Sequence, residues 1–388
     1  MILELHLLQS FPVSNLNRDD LGQPKSATFG GVPRARISSQ SLKRAARDLF
    51  AEHGLDPTHL GSRTKRLVTK TAEVLGERGH DAGKAAEIAA EALHLLGFGV
   101  EQTQLTQYLL FVGKDAIDLL ANFCEQNWSA IDKSLTEAKE EAAKKKKTKS
   151  SNKPTKRAKV KPSKEFAAAA KRIFDATRAA DIALFGRMIA DNTDFNVTAA
   201  SQVAHALSTH AVTTEFDYYT AVDDLKRDAE PGADMIGTID FNSACYYRYA
   251  NLDLAQLAKN LDGDDELVAA AARAWLGAFI HATPGGKQST TAARTMPETF
   301  LGTVRTRGAW NLANAFLRPV TGTDLLGTST ERLFTHFKAL RDFYGTEDLR
   351  TVVGAALSCS NDTLPTADVV TSVGEFTSRL LATALDHA

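Results

Sequence analysis

The 388-residue sequence has few cysteines and no long apolar run, and both absences narrow the classes of protein that it fits. Cys124, Cys245 and Cys359 are odd in number and far apart, which supports neither a disulfide framework nor a zinc knuckle and predicts buried thiols. No apolar stretch approaches a membrane span, and the N-terminal MILELHLLQSF lacks a basic region and a cleavage site. We therefore expect a cytoplasmic globular protein with no membrane partner.

Signatures of common catalytic and cofactor sites are also missing. The segment PGGKQ at 284–288 resembles the end of a phosphate-binding loop, but it has glutamine where serine or threonine is required. His205 and His210 lie five residues apart, which does not suit two metal ligands on one helical face and predicts structural histidines. Asp19 and Asp20 form an acidic pair in a turn-like context. We expect no cofactor, no metal and no catalytic residue.

Positive charge is concentrated in one tract. Residues 144–164 contain ten lysines, one arginine and no acidic residue, so the rest of a chain with net charge −1 carries −12. Two prolines and the absence of apolar periodicity predict a mobile insertion between helical segments. Non-specific attraction to nucleic acid and a solubilising loop without a partner explain this composition equally well.

A loop followed by a helix carries the strongest functional pattern near the N-terminus. Apolar residues recur at helical spacing from Leu42 to Phe50, which predicts a helix with one face in a core. Ser38 and Ser39 stand at the N-cap, where first-turn amides are ready donors to a phosphate oxygen. The other side of the helix carries Gln40, Lys43, Arg44 and Arg47. The pattern fits a surface that follows a nucleic-acid backbone, and it also fits an ordinary solvated amphipathic helix.

The order of the predicted elements indicates an α+β fold of the ferredoxin or RNA-recognition type. Leu3, Leu5 and Leu7 alternate with polar residues, which predicts a strand. Residues 63 to about 181 are mostly helical in pattern and read as an inserted subdomain. Val203–His210 and Ile239–Asn251 are predicted to form a strand pair.

A polar and aromatic arm connects these two predicted strands. It contains adjacent tyrosines, Tyr218 and Tyr219, followed by acidic residues. An exposed aromatic ring on such an arm is able to stack on a nucleic-acid base, which is worth about 1–3 kcal/mol per base. Packing of the two rings against the core, as in an ordinary strand, is the alternative.

The sequence SNLNRDDLGQPKSATFGGVPRARISSQSLKRAAR at 14–47 closely resembles the N-terminal signature of the CasC family, the backbone subunit of Cascade, the type I-E CRISPR surveillance complex. The resemblance continues through a series of shorter segments along the chain. They are GRM at 186–188, AHALSTH at 204–210, DYYTAVDDL at 217–225, Phe241 with YYRYANLDLAQL at 246–257, PGGKQ at 284–288 and NAF at 314–316. It covers most of the chain and is weakest in the helical insertion.

The resemblance implies a hand-shaped α+β fold: a modified RNA-recognition (ferredoxin-like) palm with an inserted helical fingers domain and a protruding thumb hairpin. The implied boundaries are palm at 1–58, 183–210 and 241–388, fingers at 59–182, and thumb at 211–240. Family members are non-catalytic and assemble side by side along a CRISPR RNA, which each thumb kinks at regular intervals. The implied partners are the CRISPR RNA, the target DNA strand paired to it, further copies of the chain and other Cascade subunits.

The resemblance also assigns RNA contacts to individual residues. Those implied to line the RNA backbone are Asn17, Arg18, Lys25, Ser38, Gln40, Lys43, Arg44 and Arg47. Arg187 and Met188 match a segment whose methionine packs against bases near the kink. Tyr219 and Thr220 match the thumb tip, where Tyr219 replaces a phenylalanine wedge and Tyr218 replaces a tryptophan.

A CRISPR RNA-processing endoribonuclease is the alternative from another class, because such enzymes also use ferredoxin-like folds. Asp19 or Asp20 would then be the candidate catalytic residue. An RNA-binding module outside CRISPR systems is a third interpretation, which the length of the resemblance disfavours.

Overall fold

The computed structural model describes residues 1–148, 162–189, 192–221, 235–357, 364 and 367–386. Contacts divide the chain into two compact units, which we call the sheet unit and the helical unit. The sheet unit comprises 1–55, 200–258 and 265–388, and the helical unit comprises 56–199 and 259–264. Residues 183–199 belong to the helical unit by these contacts, whereas the resemblance implies that the fingers domain ends at residue 182.

The described residues contain twelve β-strands. They are β1 (Ile2–Ser14), β2 (Ser26–Phe29), β3 (Val32–Ile37), β4 (Ser62–Thr64), β5 (Leu110–Val112), β6 (Ser201–Val203), β7 (Ala206–Ser208), β8 (Glu215–Ala221), β9 (Met235–Asp253), β10 (Thr299–Arg305), β11 (Leu349–Ala356) and β12 (Asp368–Val369). The predicted strand at Leu3–Leu7 is confirmed as part of β1, and the strand predicted at Ile239–Asn251 as part of β9.

The same residues form twelve α-helices and three short 3₁₀ helices. The α-helices are α1 (Ser39–Asp48), α2 (Leu67–Glu77), α3 (Ala82–Leu95), α4 (Ala116–Gln126), α5 (Trp128–Thr148), α6 (Lys164–Ile173), α7 (Ala180–Phe185), α8 (Leu254–Asn260), α9 (Asp265–His281), α10 (Gln288–Thr291), α11 (Leu325–Tyr344) and α12 (Val373–Leu385). The 3₁₀ helices are Pro57–His59, Thr193–Phe195 and Leu312–Phe316.

Ten of the strands form one mixed sheet, in agreement with the predicted α+β class. Its order is β12-β11-β10-β1-β9-β7-β3-β2, and β6 and β8 also pair with β9. The pairs are antiparallel except for β11 with β12. The strand predicted at Val203–His210 is two short strands, β6 and β7, which both pair with β9.

Both faces of the central strand β1 are covered by helices. One face carries the leucines at positions 3, 5 and 7. Helix α12 packs closely on the sheet beside them, because a Cβ placed on Gly302, the partner of Leu5 on β10, would lie 2.4 Å from Leu380 of α12. The opposite face carries Leu8, which packs in a core with Leu333 and Phe337 of α11. Since residues 3–9 are buried on both faces, the polar residues in this part of β1 must find their partners inside the protein.

Glu4 of β1 is the centre of such a buried polar network and is 1% exposed. Its carboxylate accepts hydrogen bonds from the Tyr249 hydroxyl at 2.9 Å, the Thr303 hydroxyl at 2.9 Å and the Trp310 amide at 2.5 Å. The Arg305 Nε lies 3.8 Å from the same carboxylate. Burial raises the pKa of Glu4, whereas its donors oppose that change.

The helical unit has its own apolar core, and β4 and β5 form a small separate ribbon within it. Buried residues of α2, α3, α4 and α6 form this core together with Phe98 and Phe174, whose rings are tilted by 35° with centroids 4.2 Å apart. The Lys-rich tract predicted as a mobile insertion at 144–164 begins inside α5, because the helix continues to Thr148, and its last lysine begins α6. Its residues 149–161 lie outside the described part of the chain.

His6, which lies beside Glu4 on β1, generates a pH prediction. Its Nδ1 is 2.8 Å from the Tyr247 hydroxyl, and burial lowers the pKa of His6 to about 3. The unfolded residue titrates near pH 6.5, so between these values the unfolded chain binds one more proton and acid destabilises the fold. We expect His6 to contribute about 1.4 kcal/mol of lost stability per pH unit below pH 6.5.

Urea unfolding of wild type and His6→Gln across this pH range measures that contribution. The variant should be less stable at pH 7 and show a shallower decline towards pH 4.5. The partly exposed His59, exchanged for Gln, serves as the control and should leave the slope unchanged. Parallel slopes for wild type and His6→Gln would contradict the prediction.

Candidate functional site

The loop after β1 is closed by its own hydrogen bonds and tied to the start of α1. The Oδ1 of Asp19 accepts from the amides of Leu21 and Gln23, both at 2.9 Å. The carbonyl of Asn17 accepts from the Lys25 amide at 2.9 Å, and its Oδ1 accepts from the Ser38 amide at 2.8 Å. Asn17 is therefore a brace between loop and helix, and Asp19 is the residue that shapes the turn.

The start of α1 is capped as predicted, but its amides are largely occupied. The Oγ of Ser38 accepts from the Ser41 amide at 3.4 Å, and the amide of Ser39 donates to Nδ1 of His205 at 2.9 Å. With the Ser38 amide bound to Asn17, three of the four first amides already have acceptors in the protein. The expectation that these amides are ready phosphate donors is therefore wrong for residues 38, 39 and 41.

The charge state of His205 supports this arrangement. Burial, together with the positive charges of Arg36 and Lys25, lowers the pKa of His205. A neutral ring keeps a lone pair on Nδ1 for the Ser39 amide. His210 likewise contacts backbone, because its Nε2 accepts from the Cys245 amide at 3.1 Å. Both histidines thus accept hydrogen bonds from backbone amides, which agrees with the predicted structural role.

The solvent side of α1 is polar and basic. Leu42 and Ala46 are buried, as the periodicity predicted, whereas Gln40 and Arg44 are exposed. Lys43 and Arg47, one helical turn apart, are half-buried. Arg44 lies 3.7 Å from Asp48 in an exposed i,i+4 pair, which contributes little to stability.

Two further cations belong to the loop that precedes α1. Arg18 is exposed and Lys25 is half-buried. Arg18 also lines an open cavity of about 460 Å³, which the loop residues 16–20, Gly22 and Gly286 enclose. The loop and the helix thus bring five of the predicted cations, Arg18, Lys25, Lys43, Arg44 and Arg47, to one continuous segment of chain.

The β8–β9 hairpin presents a different chemistry, since all seven residues of β8 are exposed. Tyr219 pairs with Gly237, and a Cβ on that glycine would lie 2.4 Å from Cζ of the tyrosine, so the ring lies directly over the glycine backbone. Thr220 pairs with Ile236 on the other face. The hairpin tip at 222–234 lies outside the described residues.

Alternation along β8 separates its aromatic side chains onto two faces. Phe216 and Tyr218 share one face and are 72% and 64% exposed, while Tyr219, on the other, is 38% exposed. Sequence analysis missed Phe216, although the period of two in FDYYT places it with Tyr218. The predicted alternative, that the tyrosines pack in the core, does not hold for Tyr218.

The two residues predicted from the GRM segment belong to the helical unit and differ from each other. Met188 is 83% exposed, whereas Arg187 is 7% exposed. The guanidinium of Arg187 donates to the carbonyls of Phe195 at 2.8 Å, Phe111 at 3.1 Å and Phe174 at 2.8 Å. Burial lowers its pKa to about 10, so it stays charged at neutral pH. Its donors hold backbone, which does not support a direct RNA contact for Arg187.

Other classes of site were sought in the described residues. They contain no group of three or more His, Cys, Asp or Glu side chains placed to hold a metal ion. No described helix is long and apolar enough to cross a membrane. Cys124 and Cys245 are buried free thiols, as predicted, and burial raises the pKa of Cys124 to about 12. Cys359 lies outside the described residues.

The fold and these surfaces define an α+β protein with a large mixed sheet, a basic loop and helix, and an exposed aromatic hairpin. The chain belongs to the family of CT1975-like proteins, whose sequence model matches residues 3–378. No curated protein sequence matches the chain.

Two solved structures are similar over their whole length. A chain described as CRISPR RNA-guided surveillance complex, pre-nicking, is 30% identical with a TM-score of 0.83, covering 99% of this chain and 100% of that one. A second, described as CRISPR RNA-guided surveillance complex, is 25% identical with a TM-score of 0.74 and the same coverage. The mixed α+β architecture is thus that of subunits found in such complexes.

The position of Arg187 predicts a large stability effect at a residue assigned to RNA. Lysine has one ammonium group in place of a planar fork, so Arg187→Lys leaves at least one buried carbonyl without its donor. We expect the helical unit to lose about 2–4 kcal/mol of stability. Hydrogen exchange of helical-unit peptides across a urea series measures the loss.

The exposed Arg172 of α6 provides the matched control. Arg172→Lys should change the stability of the helical unit by less than about 0.5 kcal/mol. An equally small effect of Arg187→Lys would show that the three carbonyl contacts are dispensable.

Proposed function

We propose that the protein is a non-catalytic CRISPR RNA-binding subunit that assembles in several copies along the guide RNA as the backbone of a type I-E Cascade complex. The observation that carries this proposal is the similarity to surveillance-complex chains, which extends over 99% of the sequence rather than over one motif. In this role the protein presents the guide for pairing with target DNA, contacts other Cascade subunits and acts in the cytoplasm.

Each part of the fold has a place in this proposal. The sheet unit is the modified RNA-recognition palm, the helical unit is the fingers domain, and the β8–β9 hairpin is the thumb. The hairpin supports the assignment because a two-stranded ribbon exposed along all of β8 is marginally stable in water. Contact with RNA and with a further copy of the chain would bury it.

The basic segment suits binding that must accept any guide sequence. Such a protein contacts phosphates and riboses and leaves base edges free for pairing. Arg18, Lys25, Lys43, Arg44 and Arg47 supply phosphate contacts in our proposal. Asn17 and Ser38 act mainly by holding the loop against the helix, and Gln40 adds an exposed polar group.

The GRM segment divides between two roles in this proposal. The exposed Met188 packs against a base near the kink, while Arg187 fixes the backbone that presents it. Gly186 supports the local turn with φ of 76°, and a Cβ there would lie 2.8 Å from the Val197 carbonyl oxygen. Arg187 is thus a positioning residue rather than an RNA ligand.

The endoribonuclease alternative has no specific observation in its favour. Asp19, one of its two candidate catalytic residues, uses a carboxylate oxygen to accept two loop amides. A structural role of this kind explains the residue without chemistry. Asp20 is exposed and is tested directly below.

Binding of labelled CRISPR RNA across a salt series tests the proposed function. Wild type should bind several copies per RNA and leave the RNA intact. Lys43→Ala/Arg47→Ala should lower the salt slope by about 0.7 for each lost phosphate contact, or about 1.4 in total. Lys338→Ala/Arg379→Ala, which removes two exposed cations from α11 and α12, is the matched control and should leave the slope unchanged.

Two results would contradict the proposal. A single copy per RNA with a slope insensitive to Lys43 and Arg47 would rule out a backbone filament built on α1. Shortened RNA with wild type that disappears in Asp19→Asn or Asp20→Asn would establish a nuclease instead.

The two faces of the hairpin make distinct predictions for base contact. If Tyr219 is the wedge, Tyr219→Ala should weaken RNA binding by about 1–3 kcal/mol per subunit, and Tyr219→Phe should retain it. Phe216→Ala, on the opposite face, should have little effect. The fluorescence of 2-aminopurine, placed at successive positions of the guide, reports which bases leave the stack. If only Phe216→Ala abolishes the fluorescence increase of the unstacked bases, the wedge lies on the other face of the hairpin.

A further inference from the structure

The PGGKQ loop at 284–288, to which the resemblance assigns no role, lies against the loop that carries Arg18. A Cβ on Gly286 would lie 2.3 Å from the carbonyl oxygen of Leu16 and 2.7 Å from that of Asn15. The two backbones are therefore in contact, and only glycine fits between them. Gly286 and Arg18 line the same open cavity of about 460 Å³.

Lys287, the next residue, is held in a left-handed backbone conformation with φ of 53° and ψ of 18°. This region is unfavourable for a residue with a side chain, so the surrounding contacts must impose it. The Lys287 carbonyl accepts hydrogen bonds from the amides of Thr290 and Thr291, both at 3.0 Å. It also accepts from their hydroxyls at 3.0 and 2.9 Å.

The side chain of Gln288 braces the loop from the other side. Its Nε2 donates to the carbonyls of Pro284 at 3.0 Å and Ala293 at 3.1 Å. The glutamine that disqualifies the segment as a nucleotide-binding loop therefore has a structural role. A rigid loop presents Lys287 next to the cavity.

The charge of Lys287 has no counterpart among the described residues. Its side chain is half-exposed, and its ammonium group forms no ion pair or hydrogen bond with any described residue. Of the two acids that line the cavity, Asp19 directs one carboxylate oxygen to amides of its own loop. A cation held in a strained conformation beside an open cavity is typical of a binding residue.

We propose that Lys287 binds a phosphate of the RNA backbone next to the phosphate bound by Arg18, across this cavity. The inference rests on the proposed function, and it extends the RNA path from the loop and α1 to a segment more than 230 residues further along the chain. The left-handed residue directly follows Gly286, which lines the cavity, so the Lys287 backbone is fixed beside it.

Exchange of Lys287 separates this role from a structural one. Lys287→Gly removes the charge and relieves the backbone strain, so the thermal midpoint should stay the same or rise while RNA binding weakens. Lys287→Gln removes the charge and keeps the strain. Both variants should lower the salt slope of RNA binding by about 0.7, and Lys287→Arg should keep the wild-type slope.

The controls make the two proposals fail separately. Lys338→Ala should behave as wild type. A wild-type salt slope in Lys287→Gly and Lys287→Gln, together with a lowered slope in Lys43→Ala/Arg47→Ala, would overturn the role of Lys287 alone. Absence of RNA binding by wild type would overturn the proposed function and this inference with it.

Discussion

The antiparallel pairing of β1 with β9 determines where both the basic loop and the aromatic hairpin leave the sheet. Its register runs from Ile2 opposite Asp253 to Ser14 opposite Asn242. The chain therefore enters the loop at the point where β9 emerges from the hairpin. Asn15 joins the two, because its Nδ2 donates to the carbonyls of Gly22 at 3.0 Å and Asp240 at 2.9 Å. One buried amide side chain thus positions the loop relative to the base of the hairpin.

The buried network on β1 illustrates what local sequence patterns do not contain. Alternation of leucines with Glu4 and His6 predicts a strand, but it is also typical of a strand with one face in water. In the folded protein, Glu4 is buried against three donors, Tyr249, Thr303 and Trp310. These residues lie 245 or more positions away in the sequence, so the pattern around Glu4 does not reveal them. The helix that covers this face and the donors that stabilise the buried carboxylate of Glu4 both come from distant parts of the chain. The strand was therefore predictable from local sequence, and its buried environment was not.

The candidate site was predictable to a similar degree. The cap at Ser38 and the buried stripe of α1 follow from spacing alone, because they depend on residues within two helical turns. Occupation of the first amides depends on Asn17 and His205, which reach the helix from other segments. Arg187 shows the converse error: a guanidinium in a recognised motif suggests a ligand contact, yet its five donors are equally suited to holding three carbonyls.

These differences change how the protein would bind RNA. With three amides of α1 already used, the proposed phosphate contacts must come mainly from Lys and Arg side chains, which are longer and more mobile than backbone donors. Such contacts are strongly salt-dependent and tolerate small shifts in the path of the phosphates. In the proposed function the subunit would meet different guide sequences, and it would benefit from that tolerance because stacking and backbone geometry vary with sequence. On that proposal, the hydrogen bond from the Ser38 amide to Asn17 fixes where α1 and its cations begin, and their side chains would adapt to the RNA.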